Sequence, residues 1–193
     1  MSVINTVKKE INFKIVYCGP GLSGKTTTLQ QLQNQVQAKS KTKIKSLSKT
    51  EKTLFFDFLP LSSNGIKGFK TRFQVYTVPG QPLYEDSRKL LLKGVDGIIF
   101  VVDSALERLQ DNLDSSEELR NHIQKMGYAP KDIPIIIQYN KRDLPDACAL
   151  DELRRVVNTF HVADFESVAL QGKGILEPFQ ECLRQVILTL KTA

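Results

Sequence analysis

Eight residues, Gly19-Pro20-Gly21-Leu22-Ser23-Gly24-Lys25-Thr26, constrain this chain more than any other stretch. They fit the spacing G-x-x-x-x-G-K-[ST] of a phosphate-binding P-loop. Phe13 to Cys18 precedes them and reads as a buried strand; Thr27 to Leu32 follows and reads as the start of a helix. Strand, loop and helix in that order are the context the spacing requires. Glycines let the backbone wrap a polyphosphate with N–H groups turned inward. The helix N-terminus adds partial positive charge. Gly19, Gly21, Leu22, Ser23, Gly24 and Thr27 are the expected loop contacts. Lys25 is expected to reach the β- and γ-phosphates, and the Thr26 hydroxyl to face Mg²⁺. A glycine-rich turn with a chance lysine fits less well, because all four fixed positions and the flanking pattern agree.

The remaining bounds are broad. At 193 residues, a single domain over 1–193 is expected. No apolar run approaches the roughly 20 residues of a membrane span. With no apolar signal core in Met1 to Lys9, Ser at position 2 and the end Leu190-Lys191-Thr192-Ala193, neither a signal peptide, N-myristoylation nor prenylation is expected. The expectation is a cytoplasmic chain without an integral membrane segment. Cys18, Cys148 and Cys182 are widely spaced and read as small buried apolar residues. The net charge of +6 owes much to Lys39, Lys41, Lys43, Lys45, Lys49 and Lys52. No aromatics interleave these lysines, so they read as a solvated loop and no nucleic-acid partner is expected.

Strand and helix signals alternate to the C-terminus, which argues for an α/β fold with a mostly parallel sheet. Thr53 to Leu61 reads as an edge strand, since Pro60 cannot donate to a ladder. Ser62-Ser63-Asn64-Gly65 reads as its turn, and Phe69 to Val78 as the returning antiparallel strand. Ile98 to Val102 and Ile133 to Tyr139 read as buried central strands. Ser104-x-x-Glu107 reads as a capping box opening a helix on Leu106, Leu109, Leu113, Leu119, Ile123 and Met126. His122 and His161 are too isolated for a site and read as surface or interface residues.

A P-loop alone does not choose a base. Asn140-Lys141-Arg142-Asp143, directly after the strand Ile135 to Tyr139, does. A carboxylate at Asp143 accepts from both N1–H and N2–H₂ of guanine. Adenine offers neither donor there, so the carboxylate would stay unpaired against it. Lys141 can lay its stem on the purine face, and Asn140 can tie this loop to the P-loop.

The order P-loop, Thr53, Pro79-Gly80-Gln81, Asn140-Lys141-x-Asp143 resembles the Ras-like small GTPases. More narrowly, Thr53-Leu54-Phe55-Phe56-Asp57-Phe58-Leu59-Pro60, Thr77-Val78-Pro79-Gly80-Gln81 and Gln138-Tyr139-Asn140-Lys141-Arg142-Asp143-Leu144-Pro145 resemble the bacterial MglA-type GTPases over nearly the whole chain. Thr77 stands where most Ras-like proteins carry Asp, as in the MglA type. The resemblance implies a P-loop NTPase fold: a Ras-like mixed sheet, mostly parallel with one antiparallel edge strand, and helices on both faces. It implies GTP/GDP and Mg²⁺ as ligands. Thr53 would join Thr26 on the metal and sense the γ-phosphate, Gly80 would donate its N–H to that phosphate, and Gln81 would orient the attacking water. Gly21 would sit where a side chain crowds the γ-phosphate. Ala169 would offer its backbone N–H to guanine O6. Leu170 departs from the wider family's Ser-Ala-Lys.

Lys52 precedes Thr53 where some MglA-type proteins carry a cis arginine; a lysine lacks the bidentate fork. Slow hydrolysis without an activator is therefore expected. The resemblance further implies a role in bacterial cell polarity and motility, a roadblock-domain homodimer as GTPase-activating partner, polarity and motility effectors, and concentration at a cell pole in the GTP state. A GTP-binding scaffold with little hydrolysis is the alternative. A P-loop kinase is less compatible with Asn140-Lys141-x-Asp143.

Overall fold

The computed structural model describes residues 3–5, 9–39, 58–66, 69–78, 85–129, 132–159 and 161–192. Its strands are β1 (Val3–Asn5), β2 (Glu10–Cys18), β3 (Phe58–Ile66), β4 (Phe69–Thr77), β5 (Gly97–Asp103), β6 (Ile135–Asn140) and β7 (Asp164–Glu166). Its helices are α1 (Lys25–Lys39), α2 (Glu85–Leu92), α3 (Leu109–Lys125), α4 (Leu150–Val157) and α5 (Leu176–Thr192). The sheet order is β3-β4-β2-β5-β6-β7, with β1 beside β2. The pairs β2–β4, β2–β5, β5–β6 and β6–β7 are parallel; β3 runs antiparallel to β4, and β1 to β2.

Burial on both faces explains why β5 and β6 read as unbroken apolar runs. Ile99 and Val101 point to one face and pack with Leu29 and Leu32 of α1 and Phe179, Cys182 and Val186 of α5. Ile98, Phe100 and Val102 point to the other and pack with Leu92 of α2, Leu119 and Ile123 of α3, and Leu153 and Val157 of α4. The two-residue period of a strand thus sorts one segment into two cores. Ile98, Ile99, Val101 and Val102 are 0% exposed. Emptying a position such as Ile99 to Ala costs about 2–5 kcal/mol.

This layering sets the functional edge. The parallel register places Cys18 beside Phe100 and Asp103 beside Asn140. The carboxyl ends of β2, β5 and β6 therefore open onto one rim, where ligands bind in such sheets.

Four expectations change. Ser62 to Gly65 lies inside β3, not in a turn. The pairing with β4 slips between Ser63 and Ile66, so an irregularity absorbs the Asn64-Gly65 pair and the strand continues. The capping box does not form. Leu106–Arg108 is a 3₁₀ turn whose N-cap residue, Ala105, makes no side-chain bond, and α3 begins only at Leu109. Asp103 takes the acceptor role instead, its Oδ1 receiving the Ala105 N–H at 3.2 Å. Leu106 consequently leaves the apolar stripe and is 56% exposed. Finally, His122 is buried, because helical spacing puts it beside Leu119 and Ile123 facing the sheet; His161 is exposed, as expected.

All three cysteines are buried. The Cys148 thiol sits at 3.3 Å from Glu152 Oε2, and burial, with this carboxylate beside it, pushes its pKa up. Among the described residues, no helix is long and apolar enough to cross a membrane. Of the lysine run, only Lys39 falls within them.

Candidate functional site

The P-loop spans the gap between β2 and α1. Gly19 has φ 131°, and a Cβ there would sit 2.2 Å from the Val101 carbonyl oxygen. Gly24 has φ 94°, and a Cβ there would meet Asn140 Nδ2 at 2.2 Å. Both positions exclude a side chain by backbone conformation and by space. The first bond of α1 runs from the Thr28 N–H to the Gly24 carbonyl at 2.8 Å, so the preceding amides lie at the open end of the helix. Ser23 is fully buried, Thr26 is exposed on the first turn, and Thr27 is partly buried behind it. Lys25 is 7% exposed and folds back over the loop. Its Nζ donates to the carbonyls of Gly19 at 3.0 Å and Pro20 at 2.6 Å.

The second loop leaves β6 at Asn140, which is 2% exposed. Asn140 Nδ2 donates to the Ser23 carbonyl at 2.8 Å. Its Oδ1 accepts from the Ala169 N–H at 2.9 Å and from Ser167 Oγ at 3.2 Å. One amide therefore joins the P-loop to the Ser167-Val168-Ala169-Leu170 segment. The Ala169 N–H expected to meet a guanine oxygen is engaged by Asn140 here, so a base would have to share it as a second acceptor. Leu170 is 81% exposed at the same rim. Asp143 is also exposed, with Gln171 Nε2 at 3.5 Å from its Oδ2.

Lys141 has φ 65°, a left-handed backbone that turns the chain sharply after β6. Its Nζ donates to Asp103 Oδ2 at 2.6 Å. The Asp103 side chain is 1% exposed, so this is a buried carboxylate held by a half-buried cation. Arg108 Nε lies 3.8 Å from the same oxygen. Behind these loops, Gln138 is fully buried, and its Nε2 donates to Ser167 Oγ at 3.0 Å and Thr28 Oγ1 at 3.3 Å. Arg142 braces the loop from outside, donating to the Cys148 carbonyl at 2.7 Å and to Glu166 at 3.0 Å.

The structure thus brings together Gly19, Gly21, Leu22, Ser23, Gly24, Lys25, Thr26, Thr27, Asn140, Lys141, Asp143, Ala169 and Leu170 along one rim. Thr53, Gly80 and Gln81 lie outside the described residues. Thr77, at the end of β4, is 3% exposed and pairs in register with Tyr17 of β2. Sequence reasoning missed Asp103, Arg108 and Gln138. For two of them a signal existed: a carboxylate closing the run Ile98 to Val102, and an amide inside Ile135 to Tyr139.

The donor set fits a nucleoside polyphosphate. It combines a helix N-terminus, a lysine above a glycine loop and an exposed carboxylate across the rim. Among the described residues no group of three or more His, Cys, Asp or Glu could hold a metal ion. Thr26 offers a hydroxyl, and a divalent cation here would take its other ligands from phosphate and water, as Mg²⁺ does.

A sequence profile of the ADP-ribosylation factor family matches residues 1–186. The mutual gliding-motility protein MglA of Myxococcus xanthus is 51% identical over 192 residues, covering 99% of this chain and 98% of that protein. The ADP-ribosylation factor-like protein 6 of Caenorhabditis elegans is 29% identical, covering 96% and 91%. The human ADP-ribosylation factor-like protein 4A is 27% identical, covering 81% and 71%.

Proposed function

Because the chain belongs to the ADP-ribosylation factor family of small GTPases, which bind guanine nucleotide and hydrolyse GTP, we propose that it is a GTP/GDP switch in bacterial gliding motility and cell polarity. The supporting observation is the Asn140 clamp. It holds the phosphate loop and the base loop in one rigid relation, with Asp143 on the base side and Lys25 on the phosphate side. Selectivity for guanine then rests on Asp143, which accepts from both guanine donors. Lys25, whose Nζ donates to the Gly19 and Pro20 carbonyls, presents its charge to the β- and γ-phosphates. Thr26 and Thr53 would hold Mg²⁺, which would supply charge neutralisation on the phosphates. Gly80 donates to the γ-phosphate, and Gln81 orients the attacking water.

Lys52 is a point charge and not a fork, so unaided hydrolysis is slow and an activator is needed. The relative MglA, the gliding-motility protein, shares half of its residues with this chain. A roadblock-domain homodimer is the proposed activator, and polarity and motility effectors at a cell pole are the proposed targets of the GTP state. The test is phosphate release from GTP and from ATP, with and without the roadblock homodimer. The reading requires release from GTP only, stimulated at least tenfold by the activator. Stoichiometric GTP binding with no release under either condition makes the chain a nucleotide-binding scaffold, and release from ATP overturns the guanine assignment.

A further inference from the structure

We propose that Arg108 is a positioning residue for the P-loop: it fixes the peptide between Gly21 and Leu22 so that the Leu22 N–H is offered to the phosphates. The inference rests on the reading of this loop as a nucleotide cradle. It starts from a strained residue. Leu22 has φ 65°, a left-handed conformation that disfavours a bulky side chain. The Leu22 side chain is 83% exposed, so packing does little to hold it there. Something else must over-determine the backbone.

Arg108 does so. Its Nη2 donates to the Gly21 carbonyl at 2.8 Å. The guanidinium is itself held: Nη1 lies 2.5 Å from Asp111 Oδ2, and Nε lies 3.8 Å from the buried Asp103 Oδ2. Two carboxylates thus aim one fork at one carbonyl, a geometry that lysine cannot reproduce. A trans peptide points its N–H opposite its C=O. With the Gly21 oxygen turned to Arg108, the Leu22 N–H faces the other way. If the peptide flipped, a carbonyl would replace that donor and repel phosphate.

The same geometry links both ends of the site. Asp103 receives Lys141 Nζ at 2.6 Å from the base side and sits beside Arg108 on the phosphate side. Neither Asp103 nor Arg108 belongs to a nucleotide-binding signature, and each acts through another residue.

The strain gives the test its sharpness. Without Arg108, Leu22 relaxes out of the left-handed region, and only the fraction still in place binds nucleotide. An uncompensated left-handed residue reduces affinity by about fivefold or more. Glycine populates that region freely, so in a Leu22→Gly background the loss should fall to about twofold. The experiment is a double-mutant cycle on Arg108→Ala and Leu22→Gly, read as the dissociation rate and affinity of a fluorescent N-methylanthraniloyl GDP. A loss of fivefold or more in the Leu22 background that shrinks to about twofold with Leu22→Gly supports the proposal. Equal losses in both backgrounds mean that Arg108 only packs the 3₁₀ turn, and overturn it. So does an unchanged affinity for Arg108→Ala. If Arg108→Ala does not fold, Arg108→Gln goes through the same cycle with the same criteria. Failure of the wild-type chain to bind GDP at all is a separate result: it overturns the GTPase reading itself, and the proposal with it.

Discussion

Asn140 spends one amide on two loops, and that makes it the residue whose loss should reach furthest. Replacing it with alanine leaves the Ser23 carbonyl and the Ala169 N–H without their partner in a buried setting. Each such orphan costs about 1–3 kcal/mol. Asn140→Ala should lower stability by about 2–4 kcal/mol in urea denaturation, and should also speed GDP release. Asp143 behaves differently because it is exposed. Asp143→Asn should leave the urea midpoint in place and weaken GTP binding by more than about 1.4 kcal/mol, a factor of ten. It should shift preference towards xanthine nucleotides, whose C2 oxygen matches the new amide donor. Normal GTP affinity in that variant would falsify the base assignment. Both residues were legible in the sequence, because a short motif after a buried strand carries them together. The pairings made by Asp103, Gln138 and Arg108 were not. Their partners Lys141, Thr28 and Gly21 are contributed by other elements, and only the sheet order makes them neighbours.

At the scale of elements, the strand–loop–helix around the P-loop tolerates least. Gly19→Ala drives a Cβ against the Val101 carbonyl, which is backbone of a central strand and cannot step aside. That substitution should cost more than about 2 kcal/mol and abolish GDP binding, as calorimetry and a thermal melt would show. The closing helix α5 offers a milder, pH-dependent test. Arg184 and Gln185 donate to the Glu181 carboxylate, and these bonds hold its pKa down at about 2. A carboxyl depressed in the folded state stabilises above its ordinary value and loses that effect as pH falls towards the folded value. The melting-temperature gap between wild type and Glu181→Gln should be open at about pH 6, narrow through about pH 4 and close near pH 2. It should also shrink in salt, since the pair is near the surface. The order of strands and helices was legible from periodicity. Two boundaries were not, and for the same reason. Ser62 to Gly65 and Ser104-x-x-Glu107 carry strong local signals, and the backbone pairing of β3 with β4 and the Asp103 acceptor each outweighed them.

For the molecule as a whole, the sheet order decides when the site can exist. β2 finds its partners far along the chain: Glu10 pairs with Lys70, Ile15 with Gly97, and β5 in turn pairs Ile98 with Ile135. Non-local parallel pairings close late and slowly, because loop entropy is lost before contacts compensate it. The P-loop, Asp103 and Asn140 hang from the ends of three strands that must all be in place. Until they are, the glycine loop and the base loop have no fixed distance between them, and the chain cannot capture nucleotide. Ligand should act as a brake on departure and not as a template for arrival. In a chevron measured at saturating GDP, the unfolding limb should drop while the refolding limb stays where it is. A faster refolding limb would mean that the three strand ends have already met at the barrier. If the brake holds, nucleotide lengthens the lifetime of a finished molecule without helping to make one, and a newly synthesised chain must close its sheet before it can enter its first GDP or GTP state.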